Sequence, residues 1–391
     1  IQSLANKAQQ IGHIDLCIVD ECHSVSNTEN GNYRKLLGEL LAINPNMRVV
    51  GYTASPYRLG QGMITDGDDA LFSEIIEPVT IQELVNDGYL CKLQSKHTAL
   101  TLDTSGVGKR GGDFVASALE AAVDTDENNV LAVQEMLIRG ADRKSWLVFC
   151  SGIKHSHHVA QLLRDSGIDA ECLTGETPSA ERDSIVSRFK SNQLRCMVGV
   201  GVFSTGFDHP GVDLIAMLRP TESPGFYLQC AVRGSRPAYA PGMPLDTPEQ
   251  RFAAMDAGPK PHGCMVLDFA GNIAKHGPIT SIQPPNKAGK GAAPTKNCPT
   301  CDEIVLLSVM ECPSCGYHWP VEEKVKPKIT LSDEDIMGME PKTMLVARWQ
   351  WKVHTSKTSG KEMLAVSYYS ARLLDDPVTE YFAVTHEGYA G

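Results

Sequence analysis

The sequence contains no apolar run near the roughly 18–20 residues that a membrane-crossing helix needs. Its first residues do not show the charged-then-apolar order of a secretory signal, and no initiator Met stands at position 1. We therefore expect an excerpt from a longer cytoplasmic protein that has no membrane partner.

Positive charge is not in excess either. The formal net charge of −11 argues against a uniformly basic nucleic-acid binder, although it leaves room for a local basic groove. Eight of the twelve cysteines are scattered singly, which argues against a disulfide framework and favours a reducing compartment. The 42% hydrophobic and 21% charged residues are typical of a globular protein, and 391 residues suffice for two or three domains.

Strand-like and helix-like segments alternate along residues 1–275. Short apolar runs such as SWLVFCSG (145–152) and GCMVLDFAG (263–271) read as buried strands, whereas IKHSHHVAQLLRDSG (153–167) has helical spacing. DLCIVD (15–20) reads as another buried strand. This alternation predicts parallel sheets covered by helices, and we expect a partial first α/β domain over 1–90 and a complete second one over 91–275.

The remaining third has a different composition. Residues 276–296 hold four prolines and no acid, which predicts a linker, and a cysteine cluster follows at 297–320. An acidic second linker (321–342) leads to a tail, 343–391, with partial alternation and many aromatics. The tail predicts a small β-rich domain that is cut short.

Two carboxylates, Asp20 and Glu21, directly follow the first predicted strand. In open α/β sheets, ligands bind beyond the carboxyl ends of the strands, where an acid can hold Mg²⁺ and a neighbouring one can polarise water. The alternative is that the two acids only end a strand and cap the next turn.

Further motifs follow in a recognisable order. DECH (20–23), TAS (53–55), STGFD (204–208) and QCAVRGSR (229–236) resemble motifs II, III, V and VI of the superfamily 2 helicases of DEAD/DEAH type. TASPYRLG and the stretch around GFDHPGVD and LRPTES resemble the corresponding segments of RadD-like and phage helicases. The resemblance covers about residues 1–275 and implies two RecA-like domains that hydrolyse ATP with Mg²⁺ on nucleic acid.

The resemblance also implies roles for single residues of the first domain. Asp20 would coordinate Mg²⁺ through water, Glu21 would act as the general base, and His23 would link the nucleotide to the second domain. Thr53 and Ser55 would couple hydrolysis to the grip on nucleic acid.

In the second domain, the same resemblance places Thr205, Gly206 and Asp208 on the interdomain face. Gln229 and Arg233 would contact the nucleotide, and Arg236 would act as the arginine finger. A guanidinium there would stabilise charge that builds on the transferring phosphoryl oxygens.

Two departures from the family pattern stand out. No G-x-x-x-x-G-K-[ST] loop is present, and in DTSGVGKR (103–110) Asp103 and Arg110 replace the required Gly and Ser/Thr. We expect that loop upstream of Ile1, so this fragment alone would be inactive. Val232 precedes the first motif VI arginine where Gly is usual, and its β-branched side chain could crowd the helix.

Four cysteines form two C-x₂-C pairs separated by ten residues: Cys298, Cys301, Cys312 and Cys315. This spacing predicts a closed, structural Zn²⁺ site that contributes to folding. Iron–sulfur ligation and four free thiols are the alternatives.

Two other groups invite a functional reading. His155 and His158 share a helical face, which we expect to be solvated rather than metal-binding. Trp349, Trp351, Tyr368 and Tyr369 could stack on bases or form the core of a small β domain.

The sequence thus predicts an ATP-dependent helicase or translocase, acting on DNA in repair, recombination or phage replication, in a bacterial or phage-infected cell. The alternatives are a nucleic-acid-binding or regulatory protein with a decayed ATPase, and the motor subunit of a restriction enzyme.

Overall fold

The computed structural model describes residues 4, 6–25, 31–58, 62–67, 69–76, 79–201, 203, 207–279, 294–320, 345–355, 362–370 and 377–382, without the side chains of 57 and 58. The chain divides into two compact units, Ile1–Pro320 and Val321–Gly391. Among the residues that the structure describes, no helix is both long and apolar enough to span a membrane.

The first lobe, residues 4–76, is built on two parallel strands. Its elements are α1 (Ala8–Ile11), β1 (Leu16–Val19), α2 (Asn32–Ile43), β2 (Arg48–Gly51), β3 (Tyr57–Arg58) and β4 (Gly62–Met63). Leu36, Leu37 and Leu40 recur at helical spacing on α2 and pack with Ala8 and Met47.

The expectation that DLCIVD is a buried strand is only half right. The strand forms, but Leu16 and Ile18 are 52% and 59% exposed. Val19, on the opposite face, is buried and packs with Cys22, Val25 and Ile64. In the described residues β1 pairs only with β2, and the face that carries Leu16 and Ile18 is left exposed.

The second lobe, residues 79–279, carries a six-stranded parallel sheet in the order β5-β12-β11-β8-β10-β9. Its strands are β5 (Leu93–Lys96), β8 (Trp146–Cys150), β9 (Ala170–Leu173), β10 (Cys196–Gly199), β11 (Leu214–Leu218) and β12 (Cys264–Asp268), with a small hairpin of β6 (Lys109–Arg110) and β7 (Asp113–Phe114). Its helices are α3 (Ile81–Asn86), α4 (Ala116–Val123), α5 (Asp126–Arg139), α6 (Ile153–Asp165), α7 (Ser179–Lys190), α8 (Pro224–Ala231), α9 (Pro248–Asp256) and α10 (Asn272–His276).

Alternate residues of β8 show why this sheet is buried on both faces. Trp146, Val148 and Cys150 point into one apolar core, while Leu147 and Phe149 point into the other. All five are fully buried. Helices cover both faces, as the alternation of elements predicts for parallel strands.

One prediction for α6 is wrong. His155 is fully buried rather than solvated, since it lies in the first turn of α6, where its Nδ1 accepts a hydrogen bond from the Ser151 backbone N–H (3.3 Å). Burial lowers the pKa of His155 to about 4. His158 does face outward, and its Nδ1 lies 3.0 Å from a carboxylate oxygen of Asp124.

The cysteine-rich segment, residues 294–320, forms a ribbon of two antiparallel strands, β13 (Thr295–Asn297) and β14 (Ile304–Leu306). It lies against β5, the edge strand of the large sheet, through an antiparallel bridge between Lys96 and Glu303. The Lys96 ammonium lies 3.1 Å from the Glu303 carboxylate, and both side chains are at least nine-tenths buried.

The second unit contains a three-stranded antiparallel sheet of β15 (Val346–Thr355), β16 (Glu362–Ser370) and β17 (Val378–Phe382). Trp349 and Trp351 of β15 are 63% and 61% exposed, so they are not core residues of this sheet. The expected fold class is confirmed: a parallel α/β sheet, a four-cysteine ribbon and a small β-rich unit. The six expected domain bounds stay predictions.

Candidate functional site

Two acids follow β1 at its carboxyl end. Glu21 adopts a left-handed backbone conformation with φ 48°, which is uncommon for a residue with a side chain. Its backbone N–H donates to Asp20 Oδ1 at 2.9 Å. Strained backbone of this kind is concentrated at functional sites, and both acids lie just beyond the end of β1.

His23 connects these acids to the segment that follows β2. Its Nδ1 lies 2.8 Å from Thr53 Oγ1 and 3.3 Å from Glu21 Oε2. The Thr53 hydroxyl in turn accepts from the Ser55 backbone N–H (3.0 Å). Because β1 and β2 are parallel neighbours, their carboxyl ends bring the DECH (20–23) and TAS (53–55) segments together.

Helix α8 of the second lobe faces this network. Gln229 Nε2 lies 3.4 Å from His23 Nε2. Near the start of the same helix, a Cβ on Gly225 would lie 3.5 Å from Ser55 Oγ, which is ordinary van der Waals contact. Ser55 is only 2% exposed. The two lobes therefore meet at the residues for which the sequence predicts nucleotide contacts.

The segment after α8 carries two arginines. A short 3₁₀ turn, Val232–Ser235, continues the helix and leads into Arg236, which is extended. We call residues 232–236 the arginine turn. Arg233 Nη1 donates to the Phe207 carbonyl at 2.7 Å, and Arg236 Nε lies 3.4 Å from Asp208 Oδ1. The side chains of Arg236 and Asp208 are more than half exposed, so this ion pair can exchange partners.

Groups of both lobes influence the pKa of Arg233. Partial burial lowers the pKa of its guanidinium, and Arg236 lowers it further, whereas Glu21 and Asp208 raise it. Glu21 belongs to the first lobe, so an acid and a guanidinium from opposite sides lie within electrostatic range of each other. Val232, the residue that departs from the family pattern, packs against a hydrophobic core of the second lobe.

The structure thus brings Asp20, Glu21, His23, Thr53, Ser55, Gln229 and Arg233 to one region between the lobes. Asp208 and Arg236 pair with each other at its border. Thr205 and Gly206 lie outside the described residues.

The four clustered cysteines form a separate site. Their Sγ atoms all lie within 4.8 Å of one another, with 3.6 Å between Cys298 and Cys315 and 3.7 Å between Cys301 and Cys312. A tetrahedron with Zn–S near 2.3 Å places sulfur atoms about 3.8 Å apart. Desolvation raises the pKa of the Cys298 thiol, but the backbone N–H groups of Thr300 and Cys301 outweigh it and lower this pKa to about 7. The donor set fits a divalent zinc ion.

Comparison with known proteins places residues 128–238 in the helicase conserved C-terminal domain family. A Saccharomyces cerevisiae protein that carries the name of an ATP-dependent helicase, IRC3, is 28% identical over 228 residues, which cover 57% of this chain and 32% of that protein. The 51.5 kDa protein of a Lactococcus phage is 26% identical over 310 residues, which cover 79% of this chain and 63% of the phage protein. The chain thus spans about a third to just under two thirds of the length of these curated relatives.

Among solved structures, a fragment of an HsdR subunit of a type I restriction enzyme from Vibrio vulnificus YJ016 aligns with a TM-score of 0.47 at 19% identity. The alignment covers 68% of this chain and 46% of that one.

Proposed function

Since the chain belongs to superfamily 2 of the helicases, we propose that the protein hydrolyses ATP with Mg²⁺ and uses the energy to move along or remodel nucleic acid, with DNA as the substrate. The contact between His23 and Gln229 carries this proposal. It joins the lobe that holds the acids to the lobe that holds the arginines, so closure of the two lobes can be linked to hydrolysis.

The residues take complementary roles around a triphosphate. Bound Mg²⁺ would neutralise phosphate charge, and Asp20 would hold it through water. Glu21 would accept a proton from the attacking water, and its partly exposed side chain at the strand end leaves room for that water.

Cationic groups would come from the facing lobe. Arg233 and Gln229 would contact the nucleotide, and Arg236 would leave Asp208 to reach the transferring phosphoryl group. Thr53 and Ser55 would relay the state of the nucleotide through His23 to the grip on nucleic acid, since their hydrogen bonds already connect the two segments. Thr205 and Gly206 would complete the interdomain face.

The cysteine ribbon would hold Zn²⁺ as a structural ion, and we propose that the ribbon and the C-terminal sheet add contacts to DNA. The exposed Trp349 and Trp351 support a stacking role for the sheet, because base stacking requires an uncovered ring. The free cysteines support a reducing location, the cytoplasm of a bacterial or phage-infected cell.

The decisive experiment is ATP turnover by the full-length protein with single-stranded DNA, duplex DNA or RNA added in separate arms. We expect DNA to stimulate turnover, and Arg236→Ala to reduce kcat by about 10³-fold or more, as for other arginine fingers. Glu21→Gln should abolish turnover while the thermal unfolding midpoint is unchanged.

Two matched surface variants, Glu127→Gln and Arg110→Ala, should leave turnover as in the wild type, since both side chains are exposed. A wild-type protein that binds DNA without hydrolysing ATP would establish the alternative, a binding protein with a decayed ATPase. Turnover retained by Glu21→Gln would refute its role as base.

A further inference from the structure

Lys260 is a buried cation beneath the arginine turn. It is 4% exposed, and its ammonium donates to the carbonyl oxygens of Val212 (2.9 Å), Gly234 (2.9 Å) and Arg236 (2.6 Å). A lysine ammonium has three donors and no acceptor, so these three carbonyls match its full capacity.

The three carbonyls belong to the two segments that carry the proposed catalytic charges. Gly234 and Arg236 lie in the arginine turn, and Val212 ends the segment that contains Asp208, the partner of Arg236. The Lys260 ammonium therefore fixes the main chain on both sides of the Arg236–Asp208 pair.

Cys91 completes the attachment of the arginine turn. Its backbone N–H donates to the Ser235 carbonyl at 2.7 Å, and its Sγ lies 3.2 Å from the Gly234 carbonyl. A Cβ on Gly234 would lie 2.4 Å from Cys264 Sγ, so the turn is seated directly on β12. Three consecutive carbonyls, from Gly234 to Arg236, are thus bonded by residues distant in sequence.

We propose that Lys260 is a positioning residue for the arginine turn, holding the backbone from which Arg236 reaches the triphosphate. Among the described residues, the half-exposed Arg236 side chain pairs only with the exposed Asp208, so its own contacts do not fix it. Its backbone is fixed instead, because Lys260 bonds the carbonyls of Gly234 and Arg236 within the turn. This inference rests on the proposed ATP hydrolysis.

The substitution Lys260→Met keeps the length of the aliphatic chain and removes the three donors. We expect kcat for ATP to fall by about 10- to 100-fold, because small displacements of a reacting group cost rate on this scale. The KM for ATP should stay within about twofold, since the arginine finger acts in the transition state rather than in ground-state binding.

A double-variant cycle separates positioning from a general structural effect. If Lys260 acts through Arg236, adding Lys260→Met to Arg236→Ala should produce little further loss of kcat. Cys91→Ala removes a second bond to Gly234 while keeping the backbone donor, and should give a smaller loss of kcat in the same direction.

The matched control is Arg251, which is also buried (5% exposed) and donates to the carbonyls of Asp87 (2.6 Å) and Leu245 (2.7 Å). Arg251→Met should lower the thermal unfolding midpoint with little change in kcat. If Lys260→Met proves too unstable to purify, Cys91→Ala carries the same test.

The outcomes separate the two proposals. Wild-type turnover that is lost in Arg236→Ala but kept by both Lys260→Met and Cys91→Ala would overturn the positioning role alone. Fully multiplicative losses in the double variant would also overturn it. Absence of DNA-stimulated turnover in the wild type would overturn the proposed function and, with it, this inference.

Discussion

His23 Nε2 and Gln229 Nε2 lie 3.4 Å apart although 206 residues separate them in the chain. With the ring proton on Nδ1, which faces the Thr53 hydroxyl, His23 Nε2 can accept a hydrogen bond from the Gln229 amide. This tautomer makes the histidine a bridge between the lobes.

Gln229→Ala should weaken the coupling between nucleotide and nucleic acid without unfolding the protein. Loss of one interlobe hydrogen bond of about 1 kcal/mol changes an equilibrium constant about fivefold. We therefore expect the stimulation of ATP turnover by DNA to fall by about fivefold. The measurement is kcat with and without DNA, with Gln82→Ala on exposed α3 as the control. Addition of His23→Ala to Gln229→Ala should bring little more loss, and independent effects of the two would contradict the bridge.

The cysteine site predicts about one zinc per chain. Cys312→Ser should release the metal and lower the thermal unfolding midpoint, because the ion supplies folding free energy to a segment with little core of its own. Elemental analysis of the purified protein checks the first part, and Cys172→Ser in β9 is a control that should retain the metal. Bound iron with visible absorption would instead establish the iron–sulfur alternative.

The buried pair of Lys96 and Glu303 predicts an asymmetric response to substitution. Lys96→Met leaves a buried carboxylate without its cation and should lower the free energy of unfolding by about 3–5 kcal/mol. The double variant with Glu303→Met should recover much of this loss, since no charge is then left unpaired. Urea unfolding measures both free energies. The control is Arg188→Met, which breaks the more exposed pair with Glu171 and should lower the free energy of unfolding by less than about 1 kcal/mol. Equal losses in single and double variants would contradict this account.

Asp268 predicts a distinctive dependence of stability on pH. Burial raises the pKa of this carboxyl to about 6 in the folded chain, above its ordinary value near 3.8. Between about pH 4 and 6 the folded state therefore binds more protons than the unfolded state, so the stability contributed by this group falls as pH rises through that window. The full effect is on the order of 2–3 kcal/mol.

The test compares wild type with Asp268→Asn by urea unfolding from pH 4 to pH 7. An asparagine at this position cannot titrate, so the variant should not show this fall in stability. Its free energy of unfolding should therefore rise relative to that of the wild type as pH increases from about 4 to 6. Burial lowers the pKa of His155 and His209 to about 4, so both give slopes of opposite sign, but they are common to the two proteins and cancel. A pH-independent difference would refute the assignment.

Local patterns predicted much of the fold. SWLVFCSG gave β8 at Trp146–Cys150, and IKHSHHVAQLLRDSG gave α6 at Ile153–Asp165. Apolar periodicity and end signals act over a few residues, so the sequence contains them directly. The four cysteines likewise lie close together because their spacing is short.

Long-range contacts could not be predicted in the same way. His155 lies with Val159 and Leu163 on the buried face of α6, and the Ser151 backbone and Glu120 of α4 contact it in the fold. Lys260 lies in an unremarkable GPKPHG stretch, and its three carbonyl partners are 24 to 48 residues away. Lys260 carries no local signal of burial, since lysine is mostly exposed, and at His155 the polar imidazole masked the apolar spacing to Val159 and Leu163.

The ribbon against β5 has a consequence for solubility. An uncovered edge strand presents a row of unpaired backbone N–H and C=O groups, with which a strand of another molecule can pair. Such pairing can initiate aggregation. The bridge between Lys96 and Glu303, with the His97 backbone N–H bonded to the Asp302 carbonyl (2.8 Å), closes that row within the molecule. The four-cysteine ribbon thereby also covers the edge of the six-stranded sheet, so that the sheet does not present this row to other molecules.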